Sequence, residues 1–125
     1  MAVYKLKAFA RFQLREGLDD AALCRAVRDV ERGLIDAELG GGLIKQRVAR
    51  MGQGKRGGFR TLIAYRRGDR VVFLFGFAKH DLDNVGDDEV AEWRAIGARW
   101  LRASADEIAT AIAEERLMEV NFEEE

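Results

Sequence analysis

The chain has 125 residues, of which 48% are hydrophobic and 34% charged, and its formal net charge is −1. These values predict one globular domain over residues 1–125 and exclude a disordered chain, and no apolar run reaches the length of a bilayer span. Cys24 is the only cysteine, which excludes an internal disulfide, and the mixed, charged start MAVYKLKAFARF does not match a secretory signal, so we expect a cytoplasmic protein.

The first third of the chain predicts a short strand and two helices. Residues 3–6 alternate as a strand does, and a helix follows from Lys7 to a stop at Gly17. Asp19 is a good N-cap for a second helix. Its inner face is predicted from residues at helical spacing: Leu23, Ala26, Val27, Val30 and Leu34.

The middle of the chain changes to strand periodicity. Residues 43–50, 59–66 and 71–78 predict three antiparallel strands, joined by a glycine-rich connection at 52–58 and a turn at Gly68 and Asp69. The third strand, VVFLFGFA, is apolar on both faces, which predicts a central, buried position.

The last third is helical again. Asp87 is the predicted cap of one helix, and Ser104 with Glu107 forms a capping-box pattern before another. Residues 117–122 predict a final short strand, and an acidic tail follows from about residue 119. We therefore expect an α+β fold, in which N-terminal and C-terminal helices pack on a small antiparallel sheet with a three-stranded central meander and short terminal strands.

Basic charge is concentrated in residues 45–80. This segment holds ten of the 21 basic residues but only one of the 22 acidic residues, Asp69, so its formal charge is +9. A local excess of positive charge indicates a polyanionic partner, although solvated surface cations are an alternative explanation.

Several common chemistries are excluded. One cysteine and one histidine cannot form the usual zinc site, and no Gly-x-Ser-x-Gly nucleophile motif occurs. Gly52, Gly54 and Gly57 match Gly-x-Gly-x-x-Gly, but strands are predicted on both sides, whereas dinucleotide sites lie between a strand and a helix. No metal or organic cofactor is therefore expected.

Strand alternation places Lys45 and Arg47 on one face of their strand, and Arg60 points to one face of the next. If the register permits, the three side chains converge on one exposed concavity. Lys79 and His80 follow the buried strand, and we expect them to be able to close this concavity.

The run GGGLIKQRVARMGQGKRGGFRTLIAYRRGDRVVFLFGFAKHDLDN resembles the central signature of RelE-type toxins, in the subgroup close to HigB-like toxins. The resemblance implies a microbial RNase-like fold. It also implies metal-free cleavage of mRNA, typically on the ribosome, and inhibition by an antitoxin encoded in the adjacent frame, expected to be a helix-turn-helix protein. The catalytic positions that it implies are Lys45, Arg47, Lys55, Arg60, Lys79 and His80. Added RNA contacts are Arg50, Arg56 and Tyr65.

The chemistry needs a base, an acid and cations around phosphorus. A lysine among other cations loses its proton more readily, which makes Lys45 or Lys55 the candidate base, and Arg60 with Arg47 the phosphate clamp. His80 has a suitable intrinsic pKa but is as readily an ordinary surface residue. Tyr65 either stacks a base or packs in the core. The alternative role of Arg60 is a structural ion pair, with Asp81 or Asp83.

Trp93 and Trp100, seven residues apart on a predicted helix, favour core packing over a platform for bases.

Three functions remain open. The first is an endoribonuclease toxin. The second is an inactive protein of the same fold that binds an antitoxin or RNA and represses its own operon. The third is a structural RNA- or ribosome-binding protein.

Overall fold

The computed structural model describes residues 1–50, 54–78 and 85–122, with only the backbone described at Arg50, residues 54–57 and Ala78. Within these ranges the strands are β1 (Ala2–Leu6), β2 (Ala37–Gly40), β3 (Leu43–Arg50), β4 (Gly54–Arg66), β5 (Arg70–Ala78) and β6 (Leu117–Val120). The helices are α1 (Lys7–Glu16), α2 (Asp20–Glu31), α3 (Asp87–Arg102) and α4 (Ala105–Ala113).

The strands form one open sheet in the order β2-β3-β4-β5-β1-β6. The run from β2 to β5 is antiparallel, β1 lies parallel to β5, and β6 is antiparallel to β1. The α+β class is confirmed. The antiparallel run has four strands, one more than predicted, because the four residues of β2 are too few for their alternation to predict a strand.

Helices cover both faces of the sheet. Phe9 and Leu23 of α1 and α2 pack with Ile63 and Phe73 on one face. Leu101 and Ile108 of α3 and α4 pack with Leu62, Ala64, Val72 and Leu74 on the other. Alternating residues of β4 and β5 therefore enter two separate cores, which explains why the third predicted strand is apolar on both faces. Its central position is confirmed, since β5 lies between β4 and β1.

Two helix starts follow the predicted capping chemistry. Asp19 caps α2 by accepting a hydrogen bond from the Ala22 amide, and Ser104 and Glu107 form the capping box of α4. The prediction for α3 is wrong by one residue, because Gly86 is the N-cap and Asp87 begins the helix. An aspartate in the first turn stabilises a helix through its dipole without a capping hydrogen bond.

Close packing of α1 on the sheet depends on Gly76 of β5. A Cβ atom at this position would collide with the Phe12 ring, so only glycine lets the helix approach. The inner face predicted for the second helix is wrong at Leu34, which lies beyond α2 and is 54% exposed. Among the described helices, none has both the length and the apolarity to span a bilayer.

Candidate active site

The register of β3 and β4 brings three predicted cations to one face of the sheet. Arg47 lies directly opposite Arg60, and Lys45 lies opposite Leu62. Directly opposed residues of an antiparallel pair project their side chains to the same face. The predicted shared face of Lys45, Arg47 and Arg60 is therefore confirmed.

The predicted exposure of Arg60 is wrong. The residue is only 4% exposed, because β4 is an interior strand and Arg60 lies between Arg47 on β3 and Phe77 on β5. Arg47 is exposed and Lys45 half-buried, so the cations on this face range from solvent-exposed to desolvated.

One carboxylate accompanies the buried guanidinium. The Nε atom of Arg60 lies 3.5 Å from Oδ2 of Asp36, which precedes β2. Burial lowers the pKa of Arg60, the neighbouring charge of Arg47 lowers it further, and Asp36 opposes both. The Nη1 atom of Arg60 is buried and has no hydrogen-bond partner among the described residues. Arg60 thus retains a donor that can serve an incoming acceptor.

A buried glutamine holds Asp36 beside Arg60. Oε1 of Gln46 accepts a hydrogen bond from the Asp36 amide at 3.1 Å, and Nε2 donates to the Leu34 carbonyl at 2.9 Å. Thr61 on β4 donates its hydroxyl to the Gln46 carbonyl at 3.0 Å. Sequence reasoning missed the role of Asp36. The available signal was Gln46 itself, a polar residue between Ile44 and Val48 on an apolar face.

The glycine-rich segment is not a long connection. β4 begins at Gly54, which pairs with Arg50, so the backbone of Lys55 and Arg56 belongs to the strand. The ladder shifts register between Val48 and Arg50, as at a β-bulge. The side-chain roles predicted for Arg50, Lys55 and Arg56 lie outside the described part of the chain.

Lys79 and His80 also lie outside the described residues, and so do Asp81 and Asp83, the predicted alternative partners of Arg60. The last described residue before them is Ala78, which pairs with Phe59 at the end of β5. The ion pair that is described for Arg60 is with Asp36.

Tyr65 does not belong to this face. It packs against the core under α1 and α2, on the side of the sheet opposite Arg60. Its hydroxyl donates a 2.9 Å hydrogen bond to Oε2 of Glu31. Burial, with the hydrogen bond and the charge of Glu31, raises the pKa of Tyr65 to about 12. These contacts favour the packing role over base stacking.

Aromatic residues instead flank Arg60 on β5. Phe77 lies directly opposite Arg60, and its ring stacks on Phe75, with centroids 5.8 Å apart. Phe75 in turn stacks on Trp93 of α3 at 5.2 Å. The core role predicted for Trp93 and Trp100 agrees with their partly buried positions in the cluster under α3 and α4.

A comparison with known protein families places the chain in one of them. Residues 1–120 match the family described as the RelE toxin of the RelE / RelB toxin-antitoxin system. The chain belongs to the RelE toxin family. Curated proteins give no significant match. As a RelE-family toxin, the chain is the toxin component of a toxin–antitoxin system, and its family implies a cognate antitoxin as partner.

Proposed function

We propose that this RelE-family toxin is a metal-independent endoribonuclease of the HigB-like subgroup that cleaves mRNA on the ribosome and arrests growth. Toxins of the family are generally ribonucleases. The observation that carries the proposal is the pair formed by exposed Arg47 and buried Arg60 on adjacent strands, with Nη1 of Arg60 lacking an acceptor among the described residues. A desolvated guanidinium binds a phosphate oxygen more strongly than one in water.

The proposed reaction uses the ribose 2′-hydroxyl as nucleophile. A base takes the 2′-hydroxyl proton, the 2′-oxygen bonds to phosphorus, and the bond from phosphorus to the 5′-oxygen breaks. An acid donates a proton to that leaving oxygen, which gives a 2′,3′-cyclic phosphate and a 5′-hydroxyl; water can then open the ring to a 3′-phosphate. Arg60 and Arg47 hold the non-bridging oxygens, whose charge grows in the transition state.

We assign the proton-transfer roles to the other basic residues that the sequence singles out. Lys45, which is half-buried beside Arg47, is the candidate base together with Lys55. Lys79 and His80 are the candidate acids. Arg50 and Arg56 supply further contacts to the RNA backbone. The partner is an antitoxin of the helix-turn-helix type, encoded in the adjacent frame.

A second candidate function is favoured by the burial of Arg60. If its ion pair with Asp36 does not yield to a phosphate, the chain binds an antitoxin or RNA without cleaving it and acts in repression of its own operon. The same fold then serves only as a binding module.

Induced expression separates the two functions. An active RNase depletes mRNA and arrests growth within one generation, and mapping of the RNA 5′ ends reveals discrete cleavage positions. Arg60→Met should abolish the arrest, whereas the control Arg99→Ala, which removes one exposed cation from the last turn of α3, should not. Growth that continues with intact mRNA, in cells that accumulate the folded protein without antitoxin, would establish the binding function instead.

A further inference from the structure

A second basic surface lies outside the candidate active site, in a groove between α2 and the outer edge of β3. The groove has a volume of about 290 Å³. Its floor is made of small side chains, Ala22, Ala26 and Ala49, and its rim carries Arg25, Arg32 and Arg47. We call this surface the α2–β3 groove.

The cations of the α2–β3 groove are available to a ligand. Arg25, Arg32 and Arg47 are all exposed, and no ion pair to any of them occurs among the described residues. Among the described residues that line the groove, Asp29 is the only acidic one. Arg28 also borders the groove, but its Cζ atom lies 5.6 Å from the centroid of the Phe122 ring, so its guanidinium is directed to that ring. The three free cations favour an anionic occupant.

The edge of β3 is poorly suited to a polypeptide strand. β2 pairs with β3 only between Leu43 and Lys45, which leaves the remainder of that edge unpaired among the described residues. The free part contains the register shift between Val48 and Arg50 and bears the charged side chain of Arg47. Bulges and charges at an edge are the features that prevent strand addition. A phosphate backbone needs no regular edge, only placed cations.

The α2–β3 groove borders a second depression that reaches the carboxylate beside Arg60. This depression has a volume of about 300 Å³, and its lining includes Asp29, Asp36, Gln46 and Arg47. Arg47 belongs to both depressions and lies opposite Arg60. Arg25 lies on α2 and Arg32 is its C-cap, seven residues later, which separates them by about 10 Å along the helix axis. They can therefore meet different phosphates.

We propose that the α2–β3 groove binds the sugar-phosphate backbone of RNA that extends beyond the cleaved bond, through Arg25, Arg32 and Arg47. This inference rests on the proposed ribonuclease function and adds a substrate path to it. Binding is electrostatic and independent of base sequence, because the described lining of the groove offers cations and small side chains but no aromatic platform.

Binding of uncleavable RNA tests the groove. Fluorescence anisotropy is measured with a 2′-O-methyl trinucleotide and a 2′-O-methyl dodecamer over a range of salt concentrations, for wild type and for the double variant Arg25→Ala/Arg32→Ala. We expect the double variant to bind the dodecamer about tenfold more weakly than wild type. The slope of log K against log salt should fall in magnitude by about 1.4, since each neutralised phosphate of a single strand contributes about 0.7.

The matched control is Arg99→Ala/Arg102→Ala, which removes the same charge from the last turn of α3 on the other face of the sheet. It should bind the dodecamer as wild type does. Equal affinity and equal salt slope in the two double variants would overturn the inference. A hexaglutamate peptide gives a second way to overturn it. If the peptide binds wild type but not Arg25→Ala/Arg32→Ala, and both proteins bind the dodecamer equally, the groove is a protein interface instead.

Cleavage of ordinary RNA by the same wild-type preparation distinguishes the two proposals. If wild type cleaves RNA but the groove variant binds the dodecamer normally, only the groove assignment fails. If wild type neither cleaves nor binds RNA, the ribonuclease function fails and the groove assignment fails with it.

Discussion

Replacing Arg60 tests whether a buried arginine can act in catalysis. Arg60→Ala removes the guanidinium whose Nη1 has no acceptor among the described residues, and with it the donor assigned to the transition state. Loss of one preorganised donor of this kind lowers the rate of cleavage by about 100- to 1,000-fold. Arg60→Lys keeps the charge but loses the planar fork, so its rate should lie between those of wild type and Arg60→Ala.

The burial of Arg60 also predicts a cost in stability. Truncation removes a mostly apolar stem from a site that is 4% exposed and leaves the Asp36 carboxylate without its cation. Two effects reduce this cost. The Asp36 side chain is 28% exposed, so water partly solvates the carboxylate that remains. The variant also no longer has to bury the positive charge of the arginine. We expect a net loss of about 1–2 kcal/mol in the free energy of unfolding, or a fall of about 4–8 °C in Tm.

Arg60→Met separates chemistry from stability. Methionine keeps much of the stem volume, so it avoids most of the packing loss of alanine, although Asp36 again loses its cation. Its Tm should therefore lie between those of wild type and Arg60→Ala, while its cleavage of a fluorescent RNA falls as far as that of Arg60→Ala. Asp36→Ala should do the reverse, with a lower Tm and retained cleavage. Full cleavage by a stably folded Arg60→Met protein would refute a catalytic role and leave Arg60 a structural partner of Asp36.

Three further predictions concern the metal, the antitoxin and pH. Cleavage should persist in excess EDTA and yield 2′,3′-cyclic or 3′-phosphate ends; activity that disappears with EDTA and returns with Mg²⁺, in the presence of intact ribosomes, would contradict the mechanism. An antitoxin segment should occupy or distort the basic face, so chemical modification of Lys55 and Arg47 should slow when the neighbouring protein is added, and unchanged rates would exclude direct occlusion. Tyr65→Phe should cost about 1 kcal/mol of unfolding free energy near neutral pH, since it removes the hydrogen bond to Glu31. Because the folded-state pKa of Tyr65 is raised to about 12, its contribution is present below its ordinary pKa of about 10 and is lost as pH rises towards 12. The free energy of unfolding of wild type, measured with urea, should therefore decline between about pH 10 and 12 more than that of Tyr65→Phe. Parallel pH dependences of the two proteins would refute the assignment.

The sequence pattern predicted the features that depend on residues close together in the chain. Strand alternation gave the bounds of β3 and the shared face of Lys45, Arg47 and Arg60, because side-chain direction follows directly from the period of a strand. The helix caps at Asp19 and Ser104 could also be predicted from the sequence, because a cap joins residues only three positions apart.

Non-local contacts were beyond these patterns. The burial of Arg60 depends on strands on both sides and on Asp36, which is distant in sequence and is held in place through Gln46. β2 exists because it pairs with β3, and its four residues are too few for their alternation to predict a strand. The groove between α2 and β3 is likewise a product of packing, and Arg25 and Arg32 look in the sequence like ordinary exposed residues of an amphipathic helix.

The place of β1 in the sheet has a consequence for synthesis of the toxin. β1 is translated before the other described elements, yet its two neighbours are β5, which comes much later, and β6, which comes last of all the described strands. Val3 finds its partners at Val71 and Val120. The hairpin of β3 and β4 can form while the chain is still emerging, but β1 has no strand to join until most of the chain has left the ribosome. A nascent toxin of this topology therefore completes its sheet late, which leaves an interval during translation when a neighbouring protein can meet it before its tertiary structure is closed.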